Sequence, residues 1–515
     1  MSFNNRWMIR GILTNRTNMH IGVGDVVTRP ALLGDEQKPV LIQAVATDVS
    51  GRAYIPGSAI KGNLRSWLER NAIPSDIMEK LFGSRDQKKD DAQGGAVEFW
   101  DARAVKFDDI ALLPPHWDAE RLTGVVASVA INRQTGAAAD NKLFHQEYVP
   151  PGIGFETTIT GQNLDDGDIA LLLHALENGS AGDEPILLGS ASANFWGSYS
   201  WQLSEISFID KKGVERWLNS GTGTTGYNAL EALPKERVDE LAGLARGYAT
   251  TVAGKCRLVL GVTLYFESLF LVNDRLRVDN NETADHIPRR DEQNRLILPA
   301  TAFRGALRSQ AERIIRTSGV KACGPEKPCD PITDRKQLEK RCPVCRLFGC
   351  GGWRSPLRIN DFVATTEPEP IKQEFVAIDR FTGGAADKKK FNAQAVPNPV
   401  MEGTVTLDLA KCAPADLGLL TLLLRDLIEG DITFGFGSAK GYGACRARIS
   451  ACIPDVSLNT LEKSGLLAII KDAGYELSEA TGWQPEPIED ERTRSLLTAL
   501  VEAFNDTLTG EVTNV

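Results

Sequence analysis

The sixteen residues Leu298–Arg313, LPATAFRGALRSQAER, repeat a stretch met earlier as Ile55–Arg70, IPGSAIKGNLRSWLER. Eight of the sixteen positions are identical, and most of the others exchange like for like. An internal duplication constrains the fold more than any single motif, because both copies must build the same unit. Each copy reads as a turn feeding a helix. Pro56 and Pro299 enter it, and Ser58 and Thr301 stand where an N-cap hydroxyl would satisfy an orphan amide. Ile60, Leu64, Trp67 and Leu68 form an apolar stripe at helical spacing, echoed by Phe303, Leu307 and Ala311. On an adjacent face Lys61 and Arg65 lie four apart, as do Arg304 and Arg308. Gly62 and Gly305 leave the first turn bare enough for close backbone approach. A helix N-terminus favours anions, and flanking cations strengthen that preference, so the word predicts a seat for phosphates. The plain alternative is an amphipathic helix with solvated cations.

The chain has 515 residues, enough for two substantial cores. Hydrophobic content of 42% and charged content of 24% are those of a soluble globular protein. No run of about 18 uncharged apolar residues suggests a membrane span. The N-terminal MSFNNRWMIRG lacks the apolar core of a secretory signal, so a cytoplasmic protein is expected. A net charge of −10 weighs against wholesale wrapping in nucleic acid. Charge is local, however, and Arg289–Arg316 holds seven arginines against Asp291, Glu292 and Glu312.

The duplication extends well beyond the helix. Trp7–Gly22 begins as an alternating strand and Cys256–Leu271 repeats it. A polar, glycine- and acid-rich loop follows each, over 22–51 and 272–294. After the helix come Lys80-Leu81-Phe82-Gly83 and Arg346-Leu347-Phe348-Gly349, then a strand bearing Asp101 or Asp361. Ala130–Gly136, AINRQTG, matches Ala377–Gly383, AIDRFTG, and both run into polar segments that should project as an arm or hairpin. Each half closes with an apolar helix, a strand and a glycine-rich loop, Gly189–Gly197 or Gly435–Gly443. Strand, helix, strand, strand, helix, strand is the ferredoxin-like order. The expected fold is therefore α+β, with two tandem ferredoxin-like (RRM-like) domains over about 1–206 and 256–453. A partly helical linker spans 207–255, and a helical, acidic tail with a surface or partner role spans 454–515.

Nine cysteines are present, and Cys323, Cys329, Cys342 and Cys345 have the spacing C-x5-C-x12-C-x2-C. The CPVC knuckle supplies two thiolates and a loop supplies two more, which suits a structural tetrahedral Zn2+. Cys350 is an alternative ligand. Cys256, Cys412, Cys445 and Cys452 lie in apolar stretches and read as core.

IPGSAIKGNLR, LPATAFRGALR, the RLFG word, the IDRFTGGA arm and the terminal GFGSAKGYG resemble the repeat-associated mysterious protein (RAMP) superfamily. More closely, they are similar to backbone subunits of type III CRISPR–Cas effector complexes, here as a fused pair. The resemblance implies RRM-like domains that bind CRISPR guide RNA along its phosphates. It also implies an arm acting as a thumb that kinks the guide–target duplex, and further effector subunits as partners, with no membrane. Ser58, Lys61, Arg65, Arg133, Thr301, Arg304, Arg308, Arg380 and Lys440 are the candidate RNA contacts. In GFGSAKGYG, glycines let amides approach a phosphate chain, with Lys440 as the cation. The first copy, GSASANFWG, lacks that lysine.

The related subunits place a target-cutting aspartate in the loop before the helix, and counting back from Leu298-Pro299 reaches Asp285. A carboxylate there could hold Mg2+ or a similar divalent ion and so assist attack by an adjacent ribose 2′-OH. Arg289 and Arg290 would stabilise charge on the phosphate. The same count in the first half falls near Ile42, so that half is inactive or uses Asp35 or Asp25. Three functions compete: a metal-dependent endoribonuclease that carries the guide, a non-catalytic guide-binding scaffold, and a guide-processing ribonuclease relying on a histidine such as His286.

Overall fold

The computed structural model describes all residues except 1–2, 30–38, 72, 86–92, 108–110, 133–137, 182–184, 220–228, 250–255, 278–283, 321, 325–328, 480–481 and 513–515. Asp35 and Arg133 fall outside the described residues.

Both halves build the ferredoxin-like sheet. In the first, the central order is Tyr199–Asp210, Asn5–Asn15, Ile153–Gln162, Ala102–Phe107, each antiparallel to its neighbour. In the second it is Cys445–Cys452, Arg257–Phe266, Val400–Asp408, Phe362–Thr366. Numbered along the βαββαβ unit, both read 4-1-3-2. Alternation directs one face of each strand to the core, as Leu260, Val262, Leu264 and Phe266 are buried while Tyr265 is exposed. Helices Gly57–Arg70 and Asp166–Ala181 supply apolar side chains to the first core, and Ala300–Thr317 and Pro414–Glu429 do so for the second.

The expected arms are antiparallel hairpins, Gly124–Ile131 with Ala138–Tyr148 and Ile371–Ile378 with Ala385–Pro397. Their registers superpose with a constant offset. Val125 faces Glu147 as Lys372 faces Gln394, and both hairpins break register at one place, Val129/Ile131 and Val376/Ile378. At the second tip Asp379 accepts from the amides of Phe381 and Thr382 at 2.8 and 2.9 Å, and Phe381 is 98% exposed.

The stretches expected as linker and tail are packed into the two cores. Helix Lys235–Ala249 lies on Asp166–Ala181 and buries Leu241 and Ala245 in the first core. Helix Glu491–Val512 lies on Pro414–Glu429 and buries Leu496, Leu500, Phe504 and Leu508 in the second. The cause is the helix beneath. Asp166–Ala181 buries Ile169, Ala170, Leu171, Leu172 and Leu173 in succession, and an all-round apolar helix needs cover on its outer face too. Among the described residues no helix is long and apolar enough to cross a membrane.

The halves touch through the second half's loop before its helix. Leu276 packs with Ile42 and Val125, and Arg277 donates to the Leu113 carbonyl. The Leu112 amide donates to the Glu292 carbonyl at 3.0 Å, and the Tyr148 hydroxyl to Glu292 Oε1 at 3.2 Å.

Candidate active site and metal centre

The repeated helices begin alike, but not as the hydroxyl pattern predicts. Pro56 and Pro299 are the N-caps, without a side-chain cap bond of their own, and Ser58 and Thr301 are exposed in the first turn. The strand aspartates take the capping role. Asp101 Oδ1 accepts from the Gly57 amide at 2.8 Å and Asp361 Oδ1 from the Ala300 amide at 2.7 Å. A carboxylate at that end also complements the helix dipole. This corrects the N-cap expectation and explains why an aspartate recurs after each helix.

The four helix cations have different surroundings. Lys61 is half-buried and forms no hydrogen bond or ion pair among the described residues. Arg65 bonds Glu69 and the Gly83 carbonyl, each at 3.0 Å. Arg308 repeats this with Glu312 at 3.5 Å and the Gly349 carbonyl at 3.4 Å. The two arginines thus anchor the glycine that ends each LFG word. Arg304 donates to Ser355 Oγ, the Leu357 carbonyl and, across the junction, the Ala193 carbonyl and Asn194 Oδ1, all at 2.8 to 3.2 Å. Burial, reinforced by the nearby Arg308 charge, pushes Arg304 down to about 10, so it stays cationic at neutral pH. The phosphate-seat geometry is therefore open at Lys61, whereas Arg65, Arg304 and Arg308 have guanidinium donors engaged by protein groups. A Cβ added at Gly62 or Gly305 would meet nothing within 4 Å, so the second turn of each helix is open beside that glycine, whereas Gly57 and Ala300 in the first turns are buried.

The glycine-rich loops share one backbone shape. Gly435, Gly437, Gly441 and Gly443 have φ of 91°, 77°, 82° and 75°. Gly189, Ala191, Phe195 and Gly197 follow the same left-handed pattern at 88°, 56°, 62° and 83°. The first copy thus keeps the shape without two of the glycines, at a cost of about 1–2 kcal/mol per residue. What differs is the side chain at the tip. Lys440 Nζ hovers over Phe375, Phe391 and Phe436 at 5.1, 4.7 and 4.9 Å, where the first half has Asn194.

Asp285 is exposed beside this aromatic cluster, at the root of the second arm. Its Oδ2 accepts from the Asn392 amide at 2.7 Å, and its own amide donates to Asn392 Oδ1 at 2.9 Å. No hydrogen bond takes Oδ1 among the described residues. His286 follows, its ring 4.8 Å from Phe436 and 5.6 Å from Phe391. Asn273 Oδ1 accepts from the Ile287 amide, which leaves the Asn273 amide group facing His286 Nδ1 at 2.9 Å and the ring proton on Nε2. Burial lowers the His286 pKa; the Asp285 charge opposes that, while Lys440 and Arg275 add to it.

The arm register supplies the first-half equivalent. His286 bridges Ala393 in parallel, and Gln43 pairs with Gln146 in the same way, one residue beyond the Ile42–His145 pair. Ile42 therefore occupies the place of Asp285, and it is fully buried at the junction. Asp25 is exposed on strand Gly22–Arg29 and forms no hydrogen bond to the arm among the described residues. Arg380 is exposed at the second arm's tip.

The cysteines converge as their spacing predicts. Sulfurs of Cys323, Cys329, Cys342 and Cys345 lie within 4.8 Å of one another, with pairs at 3.2, 3.5 and 3.6 Å. A tetrahedral ion with bonds of about 2.3 Å needs sulfurs roughly 3.8 Å apart, so the four can hold a metal ion such as zinc. Arg308 Nη2 stands 3.6 Å from Cys345 Sγ and 3.9 Å from Cys323 Sγ, an outer-shell donor for thiolates. Cys256, Cys412 and Cys445 are buried. Sequence reasoning noticed the recurring aspartates without their role, and missed Asn392, Glu292 and Tyr148, which carry no motif.

A family model for the RAMP superfamily matches residues 12–200 and 220–446. The chain is also 35% identical over 97 residues to the CRISPR system Cms endoribonuclease Csm3 of Methanocaldococcus jannaschii, covering 16% of this chain and 36% of that protein. The chain thus spans about a third of that curated relative. With two matched regions falling on two sheets of the same strand order, this chain belongs to the RAMP superfamily.

Proposed function

We propose that the chain is a double backbone subunit of a type III CRISPR effector complex, in which it binds guide RNA and cleaves paired target RNA with Asp285. The single observation that carries this reading is the exposed Asp285 carboxylate, held to the arm by Asn392 through Oδ2, with no hydrogen bond on Oδ1 among the described residues. Family membership and the similarity to an endoribonuclease support the setting.

Lys61, half-buried without a hydrogen bond or ion pair among the described residues, and the exposed Lys440 and Arg380 take guide or target phosphates, with the open second turns at Gly62 and Gly305 giving backbone access. Ser58 and Thr301, exposed in the first turns, add hydroxyl donors. Among the described residues no cluster of three acids or histidines surrounds Asp285. Asp285 would be the protein's ligand to a divalent ion there, and a lone carboxylate suits a largely hydrated Mg2+. When bound, it would supply Lewis-acid assistance to attack by the neighbouring 2′-OH on phosphorus, a displacement in which the P–O5′ bond breaks, the 2′-oxygen loses its proton and the departing 5′-oxygen gains one. The protein's own part is to present the carboxylate and to hold a kinked phosphodiester against it with the arm. Zinc in the four-cysteine site is structural, because four thiolates leave no position for substrate.

A second reading applies to the first half alone. Ile42 replaces the carboxylate, so that half is a binding scaffold. Sequencing RNA that copurifies with the assembled complex tests the setting. Guide-sized RNAs sharing a common repeat-derived end are expected, and an unselected RNA population would contradict it.

A further inference from the structure

The segment carrying Asp285 is fastened at three places, and two of them belong to the other half of the chain. At its start, Leu276 sits against Ile42 and Val125, and Arg277 pairs with Asp274 at 3.2 Å while donating to the Leu113 carbonyl. At its end, Glu292 is buried between halves, with its carbonyl on the Leu112 amide and its carboxyl on the Tyr148 hydroxyl. Between these points the strap folds back on itself, the Asp274 amide reaching the Ile287 carbonyl at 3.0 Å and the Arg289 amide the Val272 carbonyl at 2.8 Å. The middle is clasped to the second arm by the reciprocal Asp285–Asn392 bonds and by the Gln394 amide on the His286 carbonyl at 2.9 Å.

We propose that the described parts of this segment, 272–277 and 284–292, act as a strap between the two halves, with Asn392 and Tyr148 as positioning residues for Asp285, so that the first half forms part of the second half's active centre. The inference rests on the reading of Asp285 as the catalytic carboxylate. It follows from geometry: the Asn392 main chain takes one Asp285 carboxylate oxygen while its side chain holds the Asp285 amide, and the Glu292 anchor fixes where the strap re-enters the sheet. Without Asn392 Oδ1 the Asp285 amide loses its acceptor, so the backbone that carries the carboxylate loosens although the Asn392 main-chain N–H still reaches Oδ2. Without the Tyr148 hydroxyl a buried Glu292 oxygen loses its donor, and the strap's end loosens. The first half has its own residue at the Asp285 place, Ile42, committed to receiving the strap.

The test uses the guide-loaded complex with Asn392→Ala, Tyr148→Phe and Asp285→Ala. Amide exchange of peptides spanning 284–294, target-RNA affinity, and cleavage across a Mg2+ titration are the readouts. In Asn392→Ala, exchange at Asp285 should quicken, and cleavage at low Mg2+ should fall about 10-fold and recover as Mg2+ rises, with target affinity unchanged. Tyr148→Phe should quicken exchange near Glu292 and weaken cleavage in the same Mg2+-dependent way, to a smaller degree. If the alanine protein fails to assemble, Asn392→Ser keeps a short acceptor and should fall between it and wild type. Unchanged exchange and Mg2+ dependence in Asn392→Ala, with Asp285→Ala inactive, would overturn the strap and leave the catalytic reading standing. Full cleavage by Asp285→Ala would overturn the reading beneath it.

Discussion

Lys61 and Arg304 occupy the same position of the same repeated word, yet their environments separate them. Arg304 fills a niche between repeats and satisfies two backbone carbonyls, Ser355 and Asn194. Replacing it by methionine strands those acceptors, and loss of stability on the order of 2–4 kcal/mol is expected. Lys61→Met should shift unfolding by no more than about 0.5 kcal/mol while weakening RNA retention in a salt-dependent manner. Paired thermal unfolding and RNA-retention measurements separate the two outcomes, and equal unfolding midpoints would contradict the assignment. Glu292 makes a second case. Burial raises its carboxyl above the usual value of 4.5, the principal cause, with Tyr148 donation opposing it. The folded chain then holds a proton that the unfolded chain releases. Stability is fully present below the usual value and declines as pH climbs through the raised one. Glu292→Gln keeps an acceptor for Tyr148 and removes the titration. Its unfolding midpoint should match wild type in acid and exceed it increasingly towards neutral pH, as followed by calorimetry across pH.

Among the elements, the cysteine knuckle makes the most direct prediction. Cys342→Ser with Cys345→Ser should lower bound zinc from about one ion per chain to none, by elemental analysis, and destabilise the second half. Undiminished zinc would place the metal elsewhere. The knuckle was legible in sequence because ligand spacing is local, and the repeated helices, arms and glycine loops were legible because each is written twice. The helix caps were not, since Asp101 and Asp361 act on amides 44 and 61 residues away. Nor was the packing of the linker and tail helices, although an all-round apolar helix before each one signalled a missing cover. The surroundings of the cations were not legible for a related reason. Spacing places Arg304 and Arg308 on an outward face, and only the neighbouring repeat and the thiolates show that this face is covered.

At the scale of the whole molecule, duplication followed by divergence would account for the proposed single active centre on two similar domains. The junction between repeats demands an apolar residue at Ile42, and the outward face of the second repeat is free to carry Asp285. Hence the chain should have two arms that grip a guide–target duplex and one carboxylate that cuts it. The most direct measurement maps target-RNA fragments made by the guide-loaded complex containing Asp285→Ala, with guide content and target binding shown to be intact. One cleavage position should vanish while binding persists. If every fragment remains, Asp285 is not the catalytic residue, and the scaffold role proposed for the first half extends to the second.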